Sequence, residues 1–457
     1  MRRIRSAQLR EAKAARAKAI EALLESEQTS GRQLRTIIRD MQTASSDSVC
    51  YLGTSEALAL SAIRYKNSIE YLIRRVVRSD VNGRDGLTAS AMHLAVYEGF
   101  WLRVPVKQIH QYYSQWLKPW KKELESVLNS SLEDMTKKMP LVNRLSLTLS
   151  HPTFLVQTLL DNLPKNDAIA LMRSLNSPRR YYLRPNRLHN RYGRKGLVIT
   201  LQQAALSRFI DSPVVLEQDS EVPHIWEIKE GIQQLIASTE FRLGDVLVQD
   251  KASVIAVDSL DPRPGERIWD ACAAPGMKTQ LIAERVGASG AIVASDVYES
   301  RIDGGRHMMG RLGPVPVEWI RGDATYPAVK GVDRILIDAP CTSTGVLQTY
   351  PSFKWRLNKE TLFALMTVQN KILDGILNAF SDAPGTEIVY STCSILPHEG
   401  ESQIDSALSR HNIELITPTE LGSTGYVGFR CSSKVRRFFP HLHGCNGFFI
   451  ARLRVKQ

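Results

Sequence analysis

Two short segments carry the residues best suited to covalent chemistry. Asp338-Ala-Pro-Cys341 and Ser391-Thr-Cys393 each close an apolar run of the kind that forms a buried strand. Cysteines at two such ends admit three readings: buried structural thiols, a redox pair, or a nucleophile with a base. No C-x-x-C spacing supports the redox pair, and the carboxylate three residues before Cys341 favours the third reading. A second constellation lies upstream, in Asp270-Ala-Cys272-Ala273-Ala274-Pro275-Gly276-Met277-Lys278-Thr279. Small side chains let this backbone approach a ligand, and a following helix would offer free N–H groups to it. A P-loop is excluded, because Met277 precedes Lys278 and no glycine stands five residues before it; G-x-G-x-x-G is absent too. Asp296 ends the next apolar run, where a carboxylate can accept from both ribose hydroxyls. Asp323, after Gly322, can take an adenine amino hydrogen. Acids on successive strand ends suggest an adenosine ligand.

These residues need a scaffold that gathers strand ends. After Pro262 the segments ERIWDA, AIVASD, VEWIRGD, RILIDAP, EIVYSTC and GFFIARL read as short buried strands. Between them lie helical stretches, the clearest being 359–380, with Asn358 as its cap and Leu362, Leu365, Met366, Ile372, Leu373, Ile376, Leu377 and Phe380 on one face. This alternation predicts a doubly wound α/β sheet, which binds ligands at the carboxyl ends of its strands. Between Leu197 and Asp250 short apolar segments such as LVIT and VLVQ alternate with helical pieces, suggesting a small α/β module, bounded at 141–240. Residues 1–140 read as helical. Ser55–Arg78 has helical spacing, and Thr88 or Ser90 is a plausible cap for the next helix. The aromatic residues between Tyr97 and Trp120 suit a core better than a stacking platform. The Ala-rich basic start of the chain reads as a solvated helix or a basic arm.

The chain has 457 residues, 43% hydrophobic and 23% charged, which excludes collagen-like and mostly disordered classes. Its formal charge of +12 is unevenly placed, since residues 1–200 carry 33 basic and 17 acidic side chains while 201–420 are net acidic. A basic excess of this kind points to a polyanion, with nucleic acid first. Within 177–196 stand six arginines, one lysine and three tyrosines without an acid. Guanidinium groups grip phosphates and tyrosines stack on unpaired bases, which suits single-stranded or looped RNA. Arg179, Arg180, Arg184 and Arg187 are the candidate RNA-binding residues. The six scattered cysteines fit no disulfide framework, and no apolar run is long enough to span a bilayer. A cytoplasmic chain with reduced thiols and no membrane partner is expected.

DACAAPGMKT, SDVYESR, RGDA, DAPCTSTGVLQTYPSFKWR, YSTCSILPHEGE and PHLHGCNGFFIARLR together resemble the RsmB/NSUN-type RNA (cytosine-5) methyltransferases, over about residues 145–457. The RRYYLRPNR segment resembles that family's accessory RNA-binding region, and residues 1–140 resemble a NusB-like helical domain. The resemblance implies a class I Rossmann-like methyltransferase domain over 241–457, dependent on S-adenosylmethionine. It implies Cys393 as the nucleophile at carbon 6 of cytosine and Cys341 as the promoter of the final elimination. Asp338 would meet ring nitrogen 3 in protonated form. Residues Cys272 to Lys278 would hold the methionine end of the cofactor, Asp296 the ribose and Asp323 the adenine, with Asp338 beside the reacting end. Met277 and Gly400 depart from the family's usual Gly and Asn. Cys431, His441, His443 and Cys445 have a zinc-like composition, but their run leads straight into a strand and no metal is expected. Ribosomal RNA is favoured over transfer RNA as the substrate of a monomer without an obligate protein partner. The same chemistry on transfer RNA, or an RNA-binding assembly factor without catalysis, are the alternatives.

Overall fold

In a computed structural model of the chain, residues 2–29, 34–43, 50–77, 85–189, 214–313 and 317–457 are described. The chain divides into two units, one of residues 1–161 with 350–357 and one of 162–349 with 358–457.

The described residues of the first unit are helical, without a strand. Its opening helix, Arg2–Gln28, is more than a solvated arm: Ala15, Ala19, Ile20 and Leu23 are buried, and Arg16 sits in the core with its Nε 2.8 Å from Glu98 Oε2. The stretch expected as one helix over 55–78 is two, Cys50–Arg64 and Lys66–Val76, hinged at Tyr65. The next helix, Gly86–Phe100, begins before the expected caps; Asp85 caps it by accepting from Leu87 N at 3.2 Å. The aromatic stretch does form core, with Tyr113 fully buried and Tyr65 stacked on Trp101 at 4.7 Å. Residues 141–161 and 350–357 belong here too. Lys354 is fully buried and donates to the carbonyls of Arg64 (3.1 Å) and Ser150 (3.0 Å), while Trp355 Nε1 donates to Ile63 O at 2.7 Å.

The second unit holds two sheets. In the smaller, β1 (Tyr182–Pro185), β2 (Val215–Gln218), β3 (Trp226–Glu230) and β4 (Val246–Val248) run in the order β2-β3-β1-β4. The LVIT segment, at 197–200, lies outside the described residues.

All six strands expected after Pro262 are present in the larger sheet: β5 (Arg267–Asp270), β6 (Ala291–Asp296), β7 (Val317–Arg321), β8 (Arg334–Asp338), β9 (Glu387–Thr392) and, past β10 (Ile413–Ile416) and β11 (Arg436–Phe438), β12 (Phe448–Val455). Their order is β10-β12-β9-β8-β5-β6-β7, with β11 paired to β12. From β9 to β7 the pairing is parallel, whereas β12 runs antiparallel to its neighbours. β9 is buried at every position, as expected of a strand covered on both faces. Asn358 caps the helix Lys359–Ala379 by accepting from Thr361 N at 2.7 Å. Between β8 and β6 the chain order reverses across β5, so ligand-binding loops converge at the end of β5.

The small sheet is tied to the helix Met277–Val286 by buried polar groups. Arg184, 2% exposed, donates from Nε to Gln249 Oε1 (2.9 Å), from one terminal nitrogen to Glu284 Oε1 (2.5 Å) and from the other to Gln280. Asn186 donates to the carbonyls of Gly244 (2.7 Å) and Leu312 (2.8 Å).

Two stability measurements follow from these buried charges. Arg184→Met leaves the buried Glu284 without its cation and should cost about 3–5 kcal/mol in urea unfolding; a cost below about 1 kcal/mol would contradict the structural role. Asp270, at the end of β5, is pushed up to about 7 by burial, against the Thr279 hydroxyl at 2.7 Å. Its unfolded value is about 3.9, so the folded chain binds this proton more tightly. Stability from this group is therefore fully present below about pH 4 and declines as pH rises to about 7, by up to about 4 kcal/mol. Asp270→Asn should remove that slope from the pH dependence of unfolding.

Candidate active site

The loop after β5 is shaped by its small residues. Gly276 has φ 103°, and a side chain there would meet Trp319 at 3.1 Å and Met308 at 3.2 Å. It caps the helix Met277–Val286, so Met277 is the first helical residue and its carbonyl accepts from Gln249 Nε2 at 3.3 Å. Ala273 and Ala274 are buried, and Ala273 N donates to Ser295 O at 2.9 Å, while Pro275 is exposed. Asp296, buried at the end of β6, accepts from Tyr298 N (3.1 Å) and pairs with Arg301 (3.1 Å). Asp323 lies exposed past β7 and accepts from Thr325 N at 2.9 Å. Burial pushes the Cys272 thiol up, and the charges of Asp270, Asp338 and Asp296 push it further. The charges of Asp270, Asp338 and Asp296, at three strand ends, all act on Cys272 and make an acidic cradle, in which Asp270 Oδ1 is buried without a partner. Such a cradle suits a ligand that is both cationic and adenosine-bearing, as S-adenosylmethionine is.

The two cysteines come together. Cys341 Sγ and Cys393 Sγ are 3.3 Å apart. The hydrogen bond from Cys341 lowers the Cys393 thiol despite burial, with the Ser343 hydroxyl (3.5 Å) and the Lys278 charge assisting. Cys341 is held well above the ordinary thiol range, first by that shared hydrogen bond and then by burial, with Glu399 adding. Ser343 occupies the left-handed region, φ 57°, an uncommon conformation for a non-glycine residue. Asp338 accepts from Lys278 Nζ at 2.6 Å and from Ser391 Oγ at 2.9 Å, so both oxygens take donors. Burial acts to lower Lys278, but its bond to Asp338 outweighs this and raises it, so the ammonium stays charged. The loops close on each other at two glycines. Gly345 N donates to Cys393 O and Gly447 N to Gly345 O, both at 2.9 Å, and a Cβ on Gly345 would lie 1.9 Å from Gly447 O.

Several supports escaped the sequence reading. Lys278 was expected only at the cofactor, yet it also holds Asp338. Arg437, in a stretch of the sequence without acids after Glu420, is fully buried against Glu401 and donates to the carbonyls of Ser394 and Leu396, both at 3.1 Å, bracing the turn after Cys393. It also explains Gly400: a Cβ there would meet Arg437 at 2.6 Å and Phe449 at 2.8 Å. The visible signal was two glutamates, Glu399 and Glu401, six and eight residues after Cys393.

The expected RNA-binding arginines separate. Arg179 stacks on Tyr181, 4.2 Å from the ring centre, and its Nε is without a partner. Arg180 is exposed, 3.3 Å from Glu227, and Arg187 is exposed. Arg184 does not fit that role, because all three of its side-chain nitrogens are committed inside the protein. Arg191, Arg194 and Lys195 lie outside the described residues. Among the described residues no group of three or more His, Cys, Asp and Glu could hold a metal, and His443 Nδ1 accepts from Phe439 N at 2.8 Å.

The family model described as 16S rRNA methyltransferase RsmB/F matches residues 257–454. A human 28S rRNA (cytosine(4447)-C(5))-methyltransferase is 30% identical over 330 residues, which is 68% of this chain and 38% of that protein. The chain therefore spans less than half the length of that relative. Ribosomal RNA small subunit methyltransferase B of Yersinia enterocolitica is 28% identical over 458 residues, 96% of this chain and 97% of that one. Among solved structures, a methyltransferase homolog from Pyrococcus horikoshii superposes with a TM-score of 0.60 at 25% identity, covering 70% of this chain and 99% of its own. With its parallel sheet, its loop after β5 and its paired cysteines, the chain belongs to the RsmB/NSUN-type family of RNA (cytosine-5) methyltransferases.

Proposed function

We propose that the chain methylates carbon 5 of a cytosine in RNA, with ribosomal RNA as the substrate, through a covalent bond between Cys393 and the base. The observation that carries this reading is the unequal thiol pair, Cys341 and Cys393 at 3.3 Å, set beside the Lys278–Asp338 pair. S-adenosylmethionine supplies the methyl group when bound, and Cys272 to Lys278, Asp296 and Asp323 would hold it. Carbon 5 of cytosine is a poor nucleophile until a thiolate adds at carbon 6 and makes the ring enamine-like. Cys393 is the thiol lowered toward its anion, so it makes that bond. The proton offered to ring nitrogen 3 comes from the Lys278–Asp338 pair, because Asp338 accepts on both oxygens instead of standing as a free acid. Once carbon 5 is methylated it must lose its proton before the sulfur–carbon 6 bond breaks, and Cys341 is close enough to promote that elimination.

RNA would be gripped by Arg179, Arg180 and Arg187 with Tyr181, beside the first strand of the small sheet. The names of the human and Yersinia relatives favour ribosomal over transfer RNA. Among the described residues no helix is long and apolar enough to cross a membrane. A monomer acting in the cytoplasm, where its thiols stay reduced, completes the proposal, with the NusB-like assignment of the helical unit as part of it.

Cys393→Ala should lower methyl transfer by about a thousandfold or more, whereas Cys341→Ala should accumulate a protein–RNA adduct that survives denaturing electrophoresis. Normal turnover in Cys341→Ala without an adduct would refute these roles. RNA affinity should weaken with salt by about 0.7 log units per log unit for each single-strand phosphate contacted. Replacing Arg179, Arg180 and Arg187 with Gln should flatten that slope; an unchanged slope would remove them from the interface.

A further inference from the structure

Glu399 lies six residues beyond Cys393 and is fully buried. Its Oε1 accepts from Thr342 N at 2.9 Å and from Gln369 Nε2 at 3.0 Å, and its Oε2 accepts from the Thr342 hydroxyl at 2.5 Å. Gln369 donates as well to Pro340 O at 2.8 Å. The Glu399 carbonyl accepts from the hydroxyls of Tyr390 (3.1 Å) and Thr392 (3.4 Å). Glu399 thus ties down Thr342 directly, Pro340 through Gln369, and the residue before Cys393. Three donors on two oxygens suit a carboxylate and not an acid.

Its charge is not shared evenly between the thiols. Glu399 acts on Cys341, whereas Cys393 feels Lys278 and Asp338, whose charges oppose each other. The other titratable groups around the pair are Tyr390, which faces both Glu399 and Cys341; Cys272 next to Tyr390; His398, adjacent to Glu399; and Arg437, bound to Glu401. Glu399 thus adds, from the Cys341 side, to the bias that Ser343 and Lys278 give on the Cys393 side.

We infer that Glu399 is a positioning residue that assigns the two thiols their roles: its clamp on Thr342 fixes Cys341 beside Cys393, and its negative charge keeps the shared proton on Cys341, leaving Cys393 as the anion. The inference rests on Cys393 being the nucleophile of the proposed reaction. It adds why the residue in the Thr-Cys-Ser segment takes that part and its neighbour does not.

The labelling that tests this needs neither RNA nor cofactor. The full chain is alkylated with iodoacetamide across a pH series, and mass spectrometry follows the rate at each cysteine. In the unaltered protein Cys393 should react at lower pH than Cys341. Glu399→Gln keeps the size of the side chain but removes the charge, and should lower the Cys393:Cys341 rate ratio by about tenfold at a given pH. Thr342→Val loses one clamp contact and keeps the charge, so the ratio should stay within about twofold. Circular dichroism melts of each variant separate loss of fold from loss of asymmetry. An unchanged ratio in folded Glu399→Gln, or an equal drop in Thr342→Val, overturns the inference. If Glu399→Gln does not fold, the order of reaction in the unaltered protein decides, and Cys341 reacting first overturns it. Labelling in the expected order without any methyl transfer to RNA would instead count against the proposed reaction.

Discussion

Parallel strands that all end at one edge of a sheet bring their last polar groups into the same small, poorly solvated volume, and every group there must find a partner. Asp270, Asp296, Asp338 and the Thr392–Cys393 step are those groups. Each is answered by a partner from outside its own strand: Thr279 for Asp270, Arg301 for Asp296, Lys278 and Ser391 for Asp338, Cys341 and Ser343 for Cys393. An unpaired buried charge costs several kcal/mol, so these pairings hold the loops in place before any ligand arrives. The exception is Asp270 Oδ1, buried and unpartnered.

The parts of the site that are contiguous in sequence were legible there. DAPC, TCS and the small-residue loop after β5 are local motifs, and the strands that carry them are short apolar runs whose alternation with helices leaves little choice of fold. What could not be read was whatever depends on a distant partner. Arg184 and Arg437 look like any other arginine in a basic stretch; only the folded chain reveals Glu284 and Glu401 waiting for them. An arginine run is a fair sign of a polyanion only when its members are not needed to neutralise the protein's own buried acids, and here some are.

The helical unit shows the same limit at the level of elements. A continuous helical pattern over 55–78 conceals a break at Tyr65, because apolar periodicity persists across a hinge. Asp85 was overlooked as a cap in favour of hydroxyl residues further on, although an aspartate one residue before a helix accepts its free N–H groups as well. The segment 350–357 was read with the methyltransferase motifs that flank it, yet Lys354 and Trp355 spend their hydrogen bonds on carbonyls of the helical unit. Sequence adjacency and structural membership part company where a short excursion leaves one core and enters another.

The placement of β12 has a consequence for how the chain is made. This strand lies between β9 and β10, both of which precede it, and Gly447 at its threshold props the loop that follows Cys341. During synthesis, β9 therefore has an open edge, although all six of its residues are destined for burial, until residues 448–455 leave the ribosome. The nascent chain would expose one unpaired edge of this strand, beside Cys393, for that interval. Chaperone capture, or any illegitimate pairing with another chain, has its natural opening there.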